Sequence, residues 1–184
     1  VIQENLAYTL EVLTQKVLDL RDKQLVHIKA PVLRRTMTRL PDVLLAEKTE
    51  TEATFRHLYH VEVHLKDEAE IAYRAAEYAM MEFREYRCPV TIYVLYIGNG
   101  TSKNIPTQLD GGCIQAQIAL IHVNQIPVEY FLVSEHPAEV LLGILANFGQ
   151  DDASFAIRKI VRRLREVTDT KENLEKYCKH LEIL

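Results

Sequence analysis

Residues Val90 to Ile97 form a run that is almost wholly apolar and β-branched or aromatic. Such a run makes an interior strand, because both of its faces need covering. It follows a segment, Asp67 to Arg87, that is dominated by Ala, Met, Glu and Arg and reads as a helix. Asp67 can cap its start and Pro89 stops it. A helix feeding an interior strand points to an α/β fold.

The rest of the chain fits that class. Leu6, Leu10, Leu13, Val17 and Leu20 recur at alternating spacings of three and four, so residues 2–20 predict an amphipathic helix. Leu25 to Ala30 is a short β-prone run closed by Pro31, and Asp42 to Ala46 reads as a buried strand. The polar stretch Glu47 to Glu52 predicts a hairpin loop. His57 to Leu65 alternates and predicts a further strand. Gly98-Asn99-Gly100 ends the interior strand, residues 101–112 read as a loop, and Cys113 to Val123 as another strand. From Pro137 the pattern is helical: Ala138–Phe148, Asp152–Val167 and Lys171–Leu184. The expectation is a single domain over 1–184, with a core at about 1–125 and a helical C-terminal extension at about 137–184.

The chain has 184 residues, enough to bury a core without disulfides. Its 48% apolar and 26% charged residues speak against disorder. A net charge of −4 counts mildly against a passive DNA-binding module, which is normally basic. It does not count against a nuclease whose bound cations neutralise an acidic site. Cys88, Cys113 and Cys178 are far apart, with no Cys-x-x-Cys spacing. Free thiols in a reducing cytoplasm are the plain reading. Neither a transmembrane helix nor a signal peptide is expected, so no membrane partner is either.

The chemistry lies in acidic residues placed on strands. Tyr59, Val61, Val63 and Leu65 share one face, a core face, while Leu58, His60, Glu62 and His64 share the other. Asp42 opens an otherwise apolar strand just after Pro41. If the two strands pair through the 47–56 hairpin, Asp42 and Glu62 converge at one edge of the sheet. Neighbouring carboxylates repel unless a cation lies between them. Hard oxygen ligands suit Mg²⁺, Mn²⁺ or Ca²⁺, and such an ion serves phosphodiester hydrolysis. The bland alternative places both acids on the solvent face of an ordinary sheet. A Zn²⁺ site made of His60, Glu62, His64 and Asp42 is a smaller possibility.

Four segments taken together resemble a known family. They are Leu40-Pro41-Asp42-Val43-Leu44-Leu45, His60-Val61-Glu62-Val63-His64, Ala72-Tyr73-Arg74-Ala75-Ala76-Glu77-Tyr78, and Pro89 through Gly98. In order and spacing they are similar to the recombination-promoting nuclease/putative transposase family, a branch of the PD-(D/E)XK superfamily. That family carries an Asp on one strand and His-(Ile/Val)-Glu-Phe-Gln on the next. It carries Tyr-Arg-x-x-x-Tyr on the following helix and a Pro-Val-led apolar strand ending in Gly. The likeness covers about residues 39–100, with weaker helical similarity to the end. It implies a core of helix, three strands, helix and strand, and a Mg²⁺-dependent DNA endonuclease tied to mobile elements or recombination. Asp42 and Glu62 would hold the metal, with His64 as the third catalytic residue.

His64 departs from the pattern, since the superfamily usually has Lys there and this branch commonly Gln. A His can hydrogen-bond water and accept a proton. It can equally mark a degenerate nuclease-fold module that binds DNA or a partner protein. Arg74 and Tyr78 lie at i, i+4 on one helix face, and the likeness implies that Arg74 faces the site and holds a phosphate or a carboxylate. The superfamily often adds a carboxylate from the first helix, here Glu4 or Glu11. Arg34, Arg35 and Arg39 lead into the Asp42 strand and could reach backbone phosphates. Arg158, Lys159, Arg162, Arg163 and Arg165 read as a salt-bridged helix surface first and a DNA contact second. The C-terminal helices could also mediate a homo-oligomer.

Overall fold

The computed structural model describes residues 12–19, 25–27, 41–49, 54–112, 115–170, 172–175 and 177. Glu4, Glu11, Arg34, Arg35, Arg39, Cys113 and Cys178 lie outside these residues, as does most of the 171–184 segment.

The chain is α/β. A helix at 12–17 (α1) is followed by β1 (Leu25–His27), β2 (Val43–Lys48), β3 (Phe55–His64), α2 (Glu70–Tyr86) and β4 (Val90–Tyr96). Then come β5 (Gln108–Asp110), β6 (Gln115–His122), α3 (Glu129–Leu132), α4 (Pro137–Leu141) and α5 (Ala153–Val167). The sheet order is β1-β2-β3-β4-β6-β5. β1, β2 and β3 pair antiparallel, β3, β4 and β6 pair parallel, and β5 returns antiparallel to β6. A parallel neighbour cannot be reached by a tight turn, so α2 must cross over the sheet between β3 and β4.

β4 is interior as its composition demands. Ile92, Val94 and Tyr96 pack on the α2 side with Ile71, Ala72, Ala75 and Ala79. Leu95 packs on the opposite face with Leu13, Val43, Leu45, Tyr59, Val61, Phe131 and Leu142. The three alanines of α2 are short enough to let the helix axis lie close to the sheet. At its end Arg87 adopts a left-handed conformation (φ 55°) and donates its N–H to the Phe83 carbonyl. That closes the last turn in the way a glycine commonly does.

Several local expectations are corrected. β2 runs on to Lys48, so Glu47 and Lys48 belong to the strand rather than the loop. Residues 101–112 contain the short strand β5. The helix expected over 138–148 tightens into a 3-10 turn at Leu142–Leu145. There Gly143 lies against Val128 and Ile160, where an added Cβ would be in contact with both. The short helix α3 was not expected at all.

On the α1 side of the sheet, a buried ion pair joins α1 to α4. Lys16 Nζ lies 3.1 Å from Glu139 Oε2, both side chains being under a tenth exposed. Ser134 Oγ donates to the same oxygen at 2.7 Å, and Lys16 Nζ stands 4.7 Å from the centre of the Tyr130 ring. Among the described residues no helix is long and apolar enough to cross a membrane.

Candidate active site

Pairing of β2 with β3 sets Val43 opposite Val61. One further step along that register places Asp42 beside Glu62 on the same face, at the C-terminal end of β3. Asp42 is exposed, but its carboxylate turns back onto the strand and accepts the Val63 N–H at Oδ2, 2.8 Å. Desolvation raises its pKa; the Val63 hydrogen bond opposes this and the charge of Glu62 adds to it.

Glu62 is buried, 2% exposed, so it is no solvent-face acid. The face of β3 that carries it is covered by α2. Arg74 donates from Nη2 to Glu62 Oε2 at 2.9 Å. His60 Nε2 faces Glu62 Oε1 at 3.3 Å, and His60 Nδ1 lies 2.8 Å from Glu82 Oε1. Tyr78 is also buried, with its ring 6.1 Å from the His60 ring. The result is a row of Arg74, Glu62, His60 and Glu82 between strand and helix.

Alternating charge sets the protonation of this row. Burial alone would lower the pKa of His60, but hydrogen bonds and charges from Glu62 and Glu82 outweigh it and push it up to about 9. His60 is therefore an imidazolium at neutral pH. Burial alone would raise Glu62, yet His60 and Arg74 hold it below its ordinary value. Glu62 is thus ionised, with a cation on each oxygen.

His64 is turned elsewhere. Its Nε2 lies 3.1 Å from Glu68 Oε1 on the following turn. The zinc alternative finds no support, since His60 is committed to Glu82 and Glu62 and His64 to Glu68. Among the described residues no group of three or more His, Cys, Asp or Glu side chains is placed to hold a metal. Mg²⁺ has a different requirement: it keeps several waters and is commonly bound through one or two carboxylates. Asp42 and Glu62 meet that requirement in kind. Among the described residues Asp42 Oδ1 accepts no hydrogen bond, and Glu62 Oε2 accepts only that of Arg74. The donor set fits a hard, hydrated cation, provided that Arg74 shares or releases Oε2.

Of the site residues expected from sequence, Asp42, Glu62 and Arg74 come together and Tyr78 backs them. Arg39 lies outside the described residues. Glu82 was missed, as was the role of His60 as a charged bridge. The available signal was an acid at position 82 on the stripe of α2 that carries Ala75, Tyr78 and Ala79.

Asp67 does not cap α2, whose N-cap is Ala69. Its carboxylate instead accepts Ser102 Oγ at 2.6 Å, the Lys103 and Asn104 N–H groups at 2.9 Å each, and Asn104 Nδ2 at 3.0 Å. These donors, the Ser102 hydroxyl first, pull its pKa to about 2. The loop after β4 is fixed from below as well: Asn124 Nδ2 donates to the Gly98 and Gly100 carbonyls, and a Cβ on Gly98 would collide with the Leu65 carbonyl and the Tyr96 ring. Asp67→Asn is expected to loosen this loop, read as faster amide exchange at Lys103 and Asn104. A carboxylate whose folded pKa is depressed stabilises above its unfolded pKa of about 3.9 and loses that contribution as pH falls toward the folded value. The stability gap between wild type and Asp67→Asn should therefore be full at neutral pH and close between about pH 4 and 2. A gap unchanged at pH 2 would refute it.

The basic run on α5 is a salt-bridged surface. Lys159 pairs with Asp151 at 2.6 Å, and Arg162 and Arg163 pair with Glu166. Comparison with known proteins returned no matching family model, no matching curated protein and no matching solved structure.

Proposed function

We propose that this chain is a metal-dependent endodeoxyribonuclease of the PD-(D/E)XK type, hydrolysing phosphodiester bonds in DNA and linked to mobile elements or recombination. The observation that carries the reading is the Asp42–Glu62 pair, side by side across β2 and β3 with Arg74 reaching over from α2. Three antiparallel strands, a crossover helix and a parallel strand supply the scaffold that such a site would need.

Asp42 and Glu62 would hold Mg²⁺, with Mn²⁺ or Ca²⁺ as substitutes. The ion, when bound, polarises a phosphate oxygen and lowers the pKa of a water. The Val63 N–H orients the Asp42 carboxylate and leaves Oδ1 outward. Arg74 is partly exposed and already faces an anionic oxygen, so it can pass from Glu62 to a phosphate without a new side-chain path. His64 stands where the superfamily usually has Lys, and by leaving Glu68 it could orient a water.

One observation favours a second reading, a degenerate module that binds DNA or protein without cutting. Glu62 already has its charge compensated by Arg74 and His60. Plasmid DNA incubated with Mg²⁺ separates the two readings. Nicking or linearisation that stops on chelation is expected, His64→Ala should lower the rate, and His64→Lys should keep or raise it. Inactive wild type with active His64→Lys would favour the degenerate module, and inactivity of both would sink the nuclease reading.

A further inference from the structure

Glu82, His60 and Glu62 form a carboxylate–imidazole–carboxylate chain inside the protein. The contacts are 2.8 Å and 3.3 Å, and the three residues are 1%, 0% and 2% exposed. Six buried side-chain atoms among the described residues lack a well-formed hydrogen bond. Three of them, His60 Nε2, Glu62 Oε1 and Glu82 Oε2, belong to this chain. Incomplete satisfaction concentrated in one place calls for an explanation, because apolar residues could fill the same volume without that cost.

The direction of the chain supplies one. Glu82 takes the His60 Nδ1–H, which fixes the ring so that Nε2 faces Glu62. Glu62 Oε1 is thereby held inward against His60, and Oε2 is left to the partly exposed Arg74. We propose that His60 and Glu82 are positioning residues that hold the Glu62 carboxylate in the one orientation able to act with Asp42. They touch neither substrate nor metal. The arrangement parallels the way an outer carboxylate orients an imidazole in metal sites, here with a carboxylate in place of the metal. Its kinetic consequence rests on the nuclease reading; its geometric consequence does not.

The test compares Glu82→Leu, which removes the acceptor, with Glu82→Gln, which keeps one. Three readouts are used: Mn²⁺ affinity by titration calorimetry, kcat and KM on plasmid DNA, and crystal structures of both variants. Glu82→Leu should weaken Mn²⁺ binding and lower kcat by roughly 10- to 100-fold, with KM for DNA unchanged. Glu82→Gln should retain most of both, and Glu62 should be displaced from His60 only in the Leu variant. A well-folded Glu82→Leu with wild-type Mn²⁺ affinity and Glu62 in place overturns the proposal. If Glu82→Leu does not fold, Glu82→Asp, which draws the carboxylate back from His60 Nδ1, takes its place: Glu62 displaced and Mn²⁺ binding weakened supports the proposal, and both unchanged overturns it. If wild type neither binds Mn²⁺ nor cuts DNA, the nuclease reading fails by itself. The position of Glu62 in the variant structures then decides the positioning role alone.

Discussion

Glu62→Gln and Asp42→Asn are both expected to lower DNA cleavage by at least about 10²–10³-fold, the typical loss when one preorganised charged group is removed. They should differ in stability. In Glu62→Gln, His60 and Arg74 lose their shared counter-charge inside the fold. Breaking a buried ion pair costs about 3–5 kcal/mol. Arg74 is 28% exposed and can reach water, which favours the lower end of that range. At about 2–4 °C per kcal/mol for a domain of this size, Tm should fall by roughly 6–12 °C. Asp42 is the opposite case. Its folded pKa is raised, so its ionised form works against folding at neutral pH, and that burden disappears in acid. Asn keeps an acceptor for the Val63 N–H. The Asp42→Asn protein should melt at or slightly above the wild-type temperature at pH 7, with the difference vanishing as pH falls. Scanning calorimetry beside plasmid cleavage measures both properties. An active Glu62→Gln would remove the assigned role, and matching Tm losses in the two variants would refute the charge assignment.

The second large effect lies on the opposite side of the sheet. Lys16→Ala should remove the buried cation that faces the Glu139 carboxylate, at a cost of about 3–5 kcal/mol. The Tyr130 ring would also lose the ammonium beside it. Denaturant unfolding should show the midpoint shifted with an unchanged slope. Lys16→Met combined with Glu139→Leu should recover most of the loss, because apolar residues of similar volume commonly replace a buried pair at little cost. If Lys16→Ala unfolds like wild type, the pair is not carrying charge in the interior. If the double replacement is worse than Lys16→Ala, the specific geometry matters more than the desolvation argument allows.

The two predictions draw on residues that differ in how readable they were. Strand β3 announced itself by alternation, and the short β2–β3 connection made the approach of Asp42 to Glu62 predictable from the chain alone. The α/β class followed from the apolar run of β4 and the helix before it. What alternation could not supply was the identity of the cover. The face holding His60 and Glu62 looked polar, hence open, yet α2 closes it with a complementary acid and guanidinium. Glu82 lies 22 residues beyond His60, and only the crossover brings them together. Asp67 was misread for a related reason. A carboxylate before a helix can accept N–H groups from that helix or from any loop folded against it, and here the loop after β4 offers more donors. The Lys16–Glu139 pair joins distant segments and left no local trace.

The crossover helix has a consequence for how such a sequence can change. Arg74, Tyr78 and Glu82 are spaced by four along α2, about 6 Å per step. His60 and Glu62 are spaced by two along β3, about 6.6 Å. The two repeats are nearly commensurate, so the helix reads the strand like the teeth of a rack against its pinion. Arg74 engages the tooth at Glu62, while Tyr78 and Glu82 close around the tooth at His60. Inserting a single residue between 74 and 82 turns one end of the helix by about 100° relative to the other. It would disengage at least one of these contacts however conservative the inserted residue. Point substitution can tune the row, but length variation has to be absorbed outside it, in the turns at either end of α2.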